Sequence, residues 1–203
     1  MNRIFIEAKN SSTSEYNFLK AILSLFFSDK EFGLICMDGV SNLFNESIIN
    51  QISQAQISGE QVLVFVDADT VSKGWGYRQR KDYIEKEMMI KEISFSYFLY
   101  PNNHDDGDVE ILMEQAVRRD LHSIFFDCFE DYERCVSRVK DKEGNPLYNV
   151  PSLKNKLHTY MSAQKLTNQQ RRKDHWLFGD ERFWNLNVPQ LQPLKDFLKI
   201  NLR

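Results

Sequence analysis

The chain has 203 residues, an apolar fraction of 42% and a net charge of −3 at pH 7. This length suits one α/β domain with additions, or a domain with a small helical subdomain. The slightly acidic balance excludes a globally basic nucleic-acid binder, so any contact with phosphate would need a local basic patch or a metal ion.

The first residues, 1–6, form a strand-like run without the architecture of a signal peptide, and no apolar run is long enough to span a bilayer. The three cysteines, Cys36, Cys128 and Cys135, lack metal-ligand spacing and predict reduced, core-filling thiols. We therefore expect a cytoplasmic protein with no membrane partner.

Strand and helix patterns alternate over the first half of the chain. Four apolar segments predict strands, at residues 3–7, 32–37, 62–66 and 93–100. Helical spacing of apolar residues lies between them, at residues 12–26, 40–58 and 77–91, and the first of these begins with a capping-box pattern from Ser12 to Glu15. This alternation is typical of an α/β fold in which helices cover both faces of a parallel sheet.

After Gly107 the pattern becomes helical. Helices are predicted at residues 109–119, 124–139, 153–165 and 191–202, with a turn-rich linker at residues 140–151. We therefore predict an α/β core at residues 1–107 and a helical extension at residues 108–203, packed together as one compact unit.

The third predicted strand carries the clearest chemical signal. Its apolar run, residues 62–66, leads directly into Asp67 and Asp69. Such a run predicts a strand buried on both faces of a parallel sheet, and ligands bind at the carboxyl ends of these strands. Two crowded carboxylates favour Mg²⁺ or Mn²⁺ as a cofactor. The alternative is a pair of capping or loop carboxylates on a solvated edge.

Other charged residues extend this prediction. Glu7 follows the first strand and would reach the same edge, where it would ligate a second ion or transfer a proton. Glu110 would complete a second metal site, or would only stabilise a helix N-terminus.

Four basic residues would bind a nucleic-acid backbone, or would only form a solvated loop; they are Lys165, Arg171, Arg172 and Lys173.

The pair Ile6-Glu7, followed by a helix and then Val66-Asp67-Ala68-Asp69, resembles the two motifs of the Toprim domain. This domain occurs in topoisomerases, bacterial primases and nucleases related to overcoming-lysogenization-defect proteins. The resemblance implies a parallel sheet of about four strands between helices. It also implies that Glu7 is a general acid or base and that Asp67 and Asp69 bind Mg²⁺.

Further segments narrow the resemblance to an uncharacterised bacterial family of small Toprim-like proteins. They lie at residues 97–103, 107–110, 156–160 and 191–198. The implied function is metal-dependent phosphodiester chemistry on nucleic acid, DNA rather than RNA, by an endonuclease acting in phage defence or DNA repair.

Two alternatives remain open. Ala8 stands where the Toprim motif has a Gly, which permits close approach of a phosphate. A catalytically inactive module that partners an ATPase encoded nearby is therefore one alternative, since the chain itself has no Gly-x-x-x-x-Gly-Lys-Ser/Thr loop. The other is a haloacid-dehalogenase-type phosphatase with Asp67 as nucleophile, although that nucleophile normally follows the first strand of its domain.

Overall fold

A four-stranded parallel sheet forms the centre of the computed structural model, which describes residues 1–173 and 176–203 and, for residues 171–173, the backbone alone. The strands are β1 (Asn2–Ile6), β2 (Phe32–Cys36), β3 (Gln61–Asp67) and β4 (Ser96–Tyr100). Their order across the sheet is β2-β1-β3-β4, and all neighbouring pairs are parallel. The predicted α/β class with a parallel sheet is confirmed.

Helices surround the sheet and continue to the C-terminal end. They are α1 (Ser14–Phe26), α2 (Glu46–Ile57), α3 (Tyr77–Ile90), α4 (Val109–Ala116), α5 (Arg119–Arg138), α6 (Leu153–Ala163), α7 (Asn168–Lys173) and α8 (Gln192–Asn201). Short 3₁₀ turns occur at Val40–Asn42, Val71–Lys73 and Pro189–Leu191.

The two faces of the sheet are covered by different helices. Leu63 and Phe65 of β3 belong to a core shared with α1 and the C-terminal helices. Val64 and Val66 belong to a second core, shared with α2 and α3. Successive side chains of a strand alternate between faces, so the uninterrupted apolar run of β3 reflects burial on both sides.

The connections reverse direction between β1 and β3. The chain leaves β1 through α1 and pairs next as β2 on one side, whereas it leaves β3 through α3 and pairs next as β4 on the other side. The carboxyl ends of β1 and β3 therefore form a topological switch point, where open α/β sheets leave a crevice for ligands.

One predicted helix is interrupted. The chain forms a 3₁₀ turn at Val40–Asn42 and begins α2 only at Glu46, so the prediction of a single helix over residues 40–58 was wrong. The side-chain amide of Asn42 donates hydrogen bonds to the carbonyls of Met37 and Asp38 at 2.9 and 2.8 Å, which stabilises a turn there instead of a continuous helix.

Smaller corrections concern helix ends and thiols. The N-cap of α1 is Thr13, not Ser12, and its hydroxyl accepts from the Tyr16 N–H. Helix α5 begins at Arg119, ahead of the predicted start, with a kink at His122. Cys128 and Cys135 are exposed, so their prediction as core-filling residues was wrong. In the described ranges 1–173 and 176–203, none of the helices has both the length and the apolar character required to cross a membrane.

Candidate functional site

Glu7 and Asp67 meet at the carboxyl ends of the two central strands. Parallel pairing sets Ile6 beside Phe65, and the Glu7 N–H donates to the Phe65 carbonyl at 3.1 Å. The Asp67 N–H in turn donates to Oε2 of Glu7 at 3.0 Å. The strand register, and not a flexible loop, therefore positions both carboxylates at the topological switch point.

Asp67 is held by the beginning of α4. Its Oδ1 accepts a hydrogen bond from the Val109 N–H at 3.0 Å, at the first residue of that helix. Burial raises the pKa of Asp67 well above its ordinary value, and the negative charges of Glu7, Glu110 and Asp108 raise it further. A proton or a cation near this carboxylate is therefore favoured.

The pKa of Glu7 is also raised, mainly by burial and further by the charge of Asp69. Hydrogen bonds from the backbone of Asp67 and Val40, and the positive charge of Arg80, partly oppose this rise. A carboxyl group with a raised pKa can hold a proton closer to neutral pH, which is the property that a general acid requires.

Asp69 has a different environment from Asp67. Its backbone exchanges two hydrogen bonds of 2.7 Å with Gly107, and its φ of 59° lies in the left-handed region. Its carboxylate forms ion pairs with Nη2 of Arg80 at 2.7 Å and with Nζ of Lys73 at 3.0 Å. The two aspartates, both predicted as metal ligands, thus differ in their surroundings, because Asp69 already pairs with two cationic side chains.

Arg80 lies at the candidate site, although its position in the sequence was not assigned a role. Its side chain is only 2% exposed, and its guanidinium lies 3.9 Å from the centre of the Trp75 ring. Within the described residues, its Nε has no hydrogen-bond partner. Arg80 and Ile84 are the buried residues of α3 and are four positions apart. That helical spacing to a core residue is the signal that could have identified Arg80.

Lys73 and Asp108 also belong to this site, and neither was assigned a role from sequence. Nζ of Lys73 lies 3.8 Å from Oδ2 of Asp108 as well as 3.0 Å from Asp69. Lys73 follows Asp69 by four residues, and Asp108 directly precedes α4. The carboxylates of the site are therefore balanced in part by two cations of the chain itself, Lys73 and Arg80.

Glu110 lies in the first turn of α4 and is mostly buried. Burial raises its pKa, while the ammonium of Lys154, 3.3 Å away, has the opposite effect. The same ammonium forms an ion pair with Glu15. The position of Glu110 fits the interpretation that it stabilises a helix N-terminus, and its role as a ligand of a second metal ion stays a prediction.

A cavity of about 430 Å³ opens beside the carboxylate pair. Its lining includes Glu7 and Asp67, the lysines Lys9 and Lys154, and Tyr100. The Tyr100 hydroxyl is buried, and among the described residues it has no hydrogen-bond partner. Since buried polar groups are nearly always satisfied, this hydroxyl is available to a bound water or ligand.

The donor chemistry of this cavity fits a hard divalent cation. Glu7 and Asp67 provide oxygen ligands whose negative charges repel each other, and a cation between them would relieve that repulsion. Over residues 1–173 and 176–203, however, His, Cys, Asp and Glu side chains form no group of three or more that is arranged to hold a metal ion. Glu7 and Asp67 would thus need water or substrate oxygens to complete the coordination of an ion.

Ala8 does not require the conformational freedom of glycine. Its φ is not positive, and its side chain is buried in the core shared with α1. The Asp38 N–H donates to the Ala8 carbonyl at 3.1 Å, which fixes the turn after β1. The departure from the Toprim pattern therefore causes no backbone strain at this position.

The predicted nucleic-acid patch is only partly described. Lys165 is exposed and follows the C-cap residue of α6, Gln164. The side chains of Arg171, Arg172 and Lys173 lie outside the described residues, although their backbone belongs to α7. The patch therefore stays a prediction.

A comparison with protein-family models matched residues 2–202 to the family described as "Protein of unknown function (DUF3226)". Comparisons with curated proteins and with solved structures found no significant match. The family description names no activity, so any function has to be argued from the carboxylate site.

Proposed function

We propose that this chain, which belongs to the DUF3226 family, is a metal-dependent endonuclease that acts on nucleic acid, with DNA as its substrate and the cytoplasm as its location. The observation that carries the proposal is the Glu7–Asp67 carboxylate pair at the topological switch point of the sheet. The resemblance of residues 6–7 and 66–69 to the Toprim motifs supports the same class of chemistry.

Glu7 and Asp67 would hold Mg²⁺ or Mn²⁺, since both carboxylates line one cavity and a cation between them would relieve the repulsion that the charge of Glu7 exerts on Asp67. A bound divalent cation supplies polarisation of the phosphodiester and stabilisation of its leaving oxygen. Asp69 would contribute indirectly, because its carboxylate fixes Arg80 and Lys73 beside the site.

Glu7 would be deprotonated when it holds the ion, so water would supply the proton that the leaving oxygen requires. Lys9 and Lys154 line the same cavity and would attract the phosphate backbone. The same lining carries the carboxylates of Glu7, Glu15 and Asp67, so attraction of the phosphate would also need the positive charge of the bound ion.

Plasmid cleavage tests this proposal. Purified wild type should nick or cut supercoiled DNA with Mn²⁺, whereas Glu7→Gln should be inactive because the amide removes one of the two charged ligands of the ion. Glu46→Gln, at an exposed glutamate of α2, is the matched control and should retain activity. Cleavage that persists in Glu7→Gln would contradict the assignment and indicate a contaminant or another site. A parallel single-stranded RNA substrate tests the preference for DNA.

The ion pairs of Asp69 favour a second candidate, a non-catalytic module that partners an ATPase. Arg80 and Lys73 neutralise the carboxylate that the Toprim resemblance assigns to Mg²⁺. If this candidate is right, the wild type will not cleave any substrate with Mn²⁺ or Mg²⁺ when alone. It would instead co-purify with an ATPase encoded by a neighbouring gene, and Glu7→Gln would leave that association unchanged.

A further inference from the structure

Tyr100 is the last residue of β4 and lies beside Asp67 in the sheet. Parallel pairing sets Asp67 opposite Tyr100, and the Ala68 N–H donates to the Tyr100 carbonyl at 3.1 Å. The Tyr100 ring packs edge to face on Phe98, with 5.5 Å between the ring centres. The strand register and the packing of the ring therefore fix this side chain at the same end of the sheet as the carboxylate pair.

The hydroxyl of Tyr100 is buried and unsatisfied. The residue is 2% exposed, and in the part of the chain that the structure describes its Oη has no hydrogen-bond partner. A buried hydroxyl without a partner is costly, whereas phenylalanine would fill the same space without that cost. The hydroxyl of Tyr100 therefore indicates a bound molecule as its partner.

The surroundings place this hydroxyl at the cavity beside the carboxylate pair. Tyr100 lines that cavity together with Glu7, Asp67 and Glu15. Burial raises the pKa of the Tyr100 hydroxyl well above its ordinary value, and the negative charges of Asp67 and Glu15 raise it further. Because both of these carboxylates belong to the lining, the hydroxyl lies on the cavity side of the ring. A phenol in this position keeps its proton and can donate a hydrogen bond.

A hydroxyl that donates a hydrogen bond needs an acceptor oxygen as its partner. Water bound to a divalent cation mainly donates hydrogen bonds, because the cation engages its lone pair. A phosphate oxygen keeps further lone pairs when it binds a cation, and it accepts strong, charge-assisted hydrogen bonds. Phosphate is therefore the better partner for the Tyr100 hydroxyl. Two lysines of the same lining, Lys9 and Lys154, also favour an anion.

We propose that the Tyr100 hydroxyl donates a hydrogen bond to a phosphate oxygen that also binds the ion held by Glu7 and Asp67. This inference rests on the proposed function, and it assigns a substrate-binding residue outside the motifs at residues 6–7 and 66–69. With the charges of the carboxylates offset by the ion, the hydroxyl fixes the orientation of the phosphate without adding charge to the cavity. Its role is to bind and position the phosphodiester, and it takes no part in proton transfer.

Titration calorimetry of Tyr100→Phe with inorganic phosphate tests the proposal. The variant keeps the ring and removes only the hydroxyl. In saturating Mg²⁺ it should bind phosphate at least about tenfold more weakly than the wild type, because a hydrogen bond to a charged group is lost. Its affinity for Mn²⁺ without phosphate, measured by electron paramagnetic resonance, should be unchanged. An equal loss of Mn²⁺ affinity without phosphate would assign the hydroxyl to a water ligand of the ion and overturn the proposal.

Tyr160→Phe is the matched control, because Tyr160 is also buried but its hydroxyl donates to the Phe183 carbonyl at 3.2 Å. This control should lower the melting temperature of the metal-free protein and leave the phosphate affinity unchanged. Tyr100→Phe should keep or raise the melting temperature, because it removes an unsatisfied group. A similar decrease in both variants would show that the protein itself satisfies the Tyr100 hydroxyl, which would overturn the proposal.

The Mn²⁺ affinity of the wild type separates this inference from the proposed function. If the wild type binds Mn²⁺ but Tyr100→Phe binds phosphate as tightly as the wild type does, the role of Tyr100 is refuted and the proposed function stands. If the wild type binds neither Mn²⁺ nor phosphate, the proposed function and the role of Tyr100 are both refuted.

Discussion

Replacement of Arg80 by Met removes the buried cation of the candidate site while keeping a side chain of similar length. The ion pair between Arg80 and Asp69 spans 2.7 Å, and the two side chains are 2% and 19% exposed. Loss of one partner from a buried pair costs about 3–5 kcal/mol. Loss of the cation–π contact with Trp75 costs roughly 0.5–1 kcal/mol more.

Asp69 retains its ion pair with Lys73 at 3.0 Å and some exposure to water, which places the expected cost toward the lower end of this range. We therefore expect Arg80→Met to reduce the free energy of unfolding by about 3 kcal/mol. For a chain of this size, that corresponds to a decrease in Tm of about 6–12 °C.

Urea denaturation of Arg80→Met, Asp69→Asn and the double variant measures the pair directly. Asp69→Asn leaves the buried Arg80 without its partner, and Arg80→Met leaves Asp69 with Lys73 alone, so the double variant should lose less stability than the sum, with a coupling of about 1–3 kcal/mol. A cost below about 1 kcal/mol for Arg80→Met, or strictly additive costs, would refute the argument that Asp69 is held by Arg80.

Three further predictions concern the same edge of the sheet. The pKa of Asp67 is raised in the folded chain, so between the ordinary pKa of an aspartate and this raised pKa the folded state binds more protons than the unfolded state. The stability of the metal-free protein should therefore fall as the pH rises through this range. Asp67→Asn should lose less stability over the same pH range, as measured by urea denaturation at several pH values. The same loss of stability in both proteins would contradict this prediction. Gly107→Ala should lower the free energy of unfolding by about 2–4 kcal/mol, since φ is 146° and a Cβ would lie 2.4 Å from the side chain of Ile111. Gly179→Ala is the control, because a Cβ there meets nothing within 4 Å. Equal melting temperatures of the two variants would contradict the prediction. Lys154→Ala should weaken DNA binding at least about tenfold and reduce its salt dependence, measured by fluorescence anisotropy, and an unchanged salt slope would exclude a phosphate contact.

The sequence was sufficient to predict the sheet and the meeting of Glu7 with Asp67. The apolar run of β3 is typical of a strand buried on both faces, and parallel pairing then brings the ends of β1 and β3 together. Both inferences depend on local patterns and on rules of sheet topology, which a single sequence contains.

The sequence was not sufficient to predict how the site is balanced electrostatically. Helix α3 carries many charges of both signs, and its pattern does not show which of them meets Asp69. The burial of Arg80 beside Trp75 depends on how α3 packs on the sheet. The break before α2 was missed for a similar reason, because the hydrogen bonds of the Asn42 side chain favour a turn over a continuous helix.

The central claim is that Glu7 and Asp67 bind a divalent cation, and Mn²⁺ titration monitored by electron paramagnetic resonance tests it most directly. The wild type and the control Glu46→Gln should bind Mn²⁺ equally, and Mg²⁺ should compete for the site. Asp67→Asn should weaken Mn²⁺ binding at least about tenfold, because the amide removes one of the two charged ligands. Equal binding of Mn²⁺ by the wild type and Asp67→Asn, or no binding by either, would contradict the account.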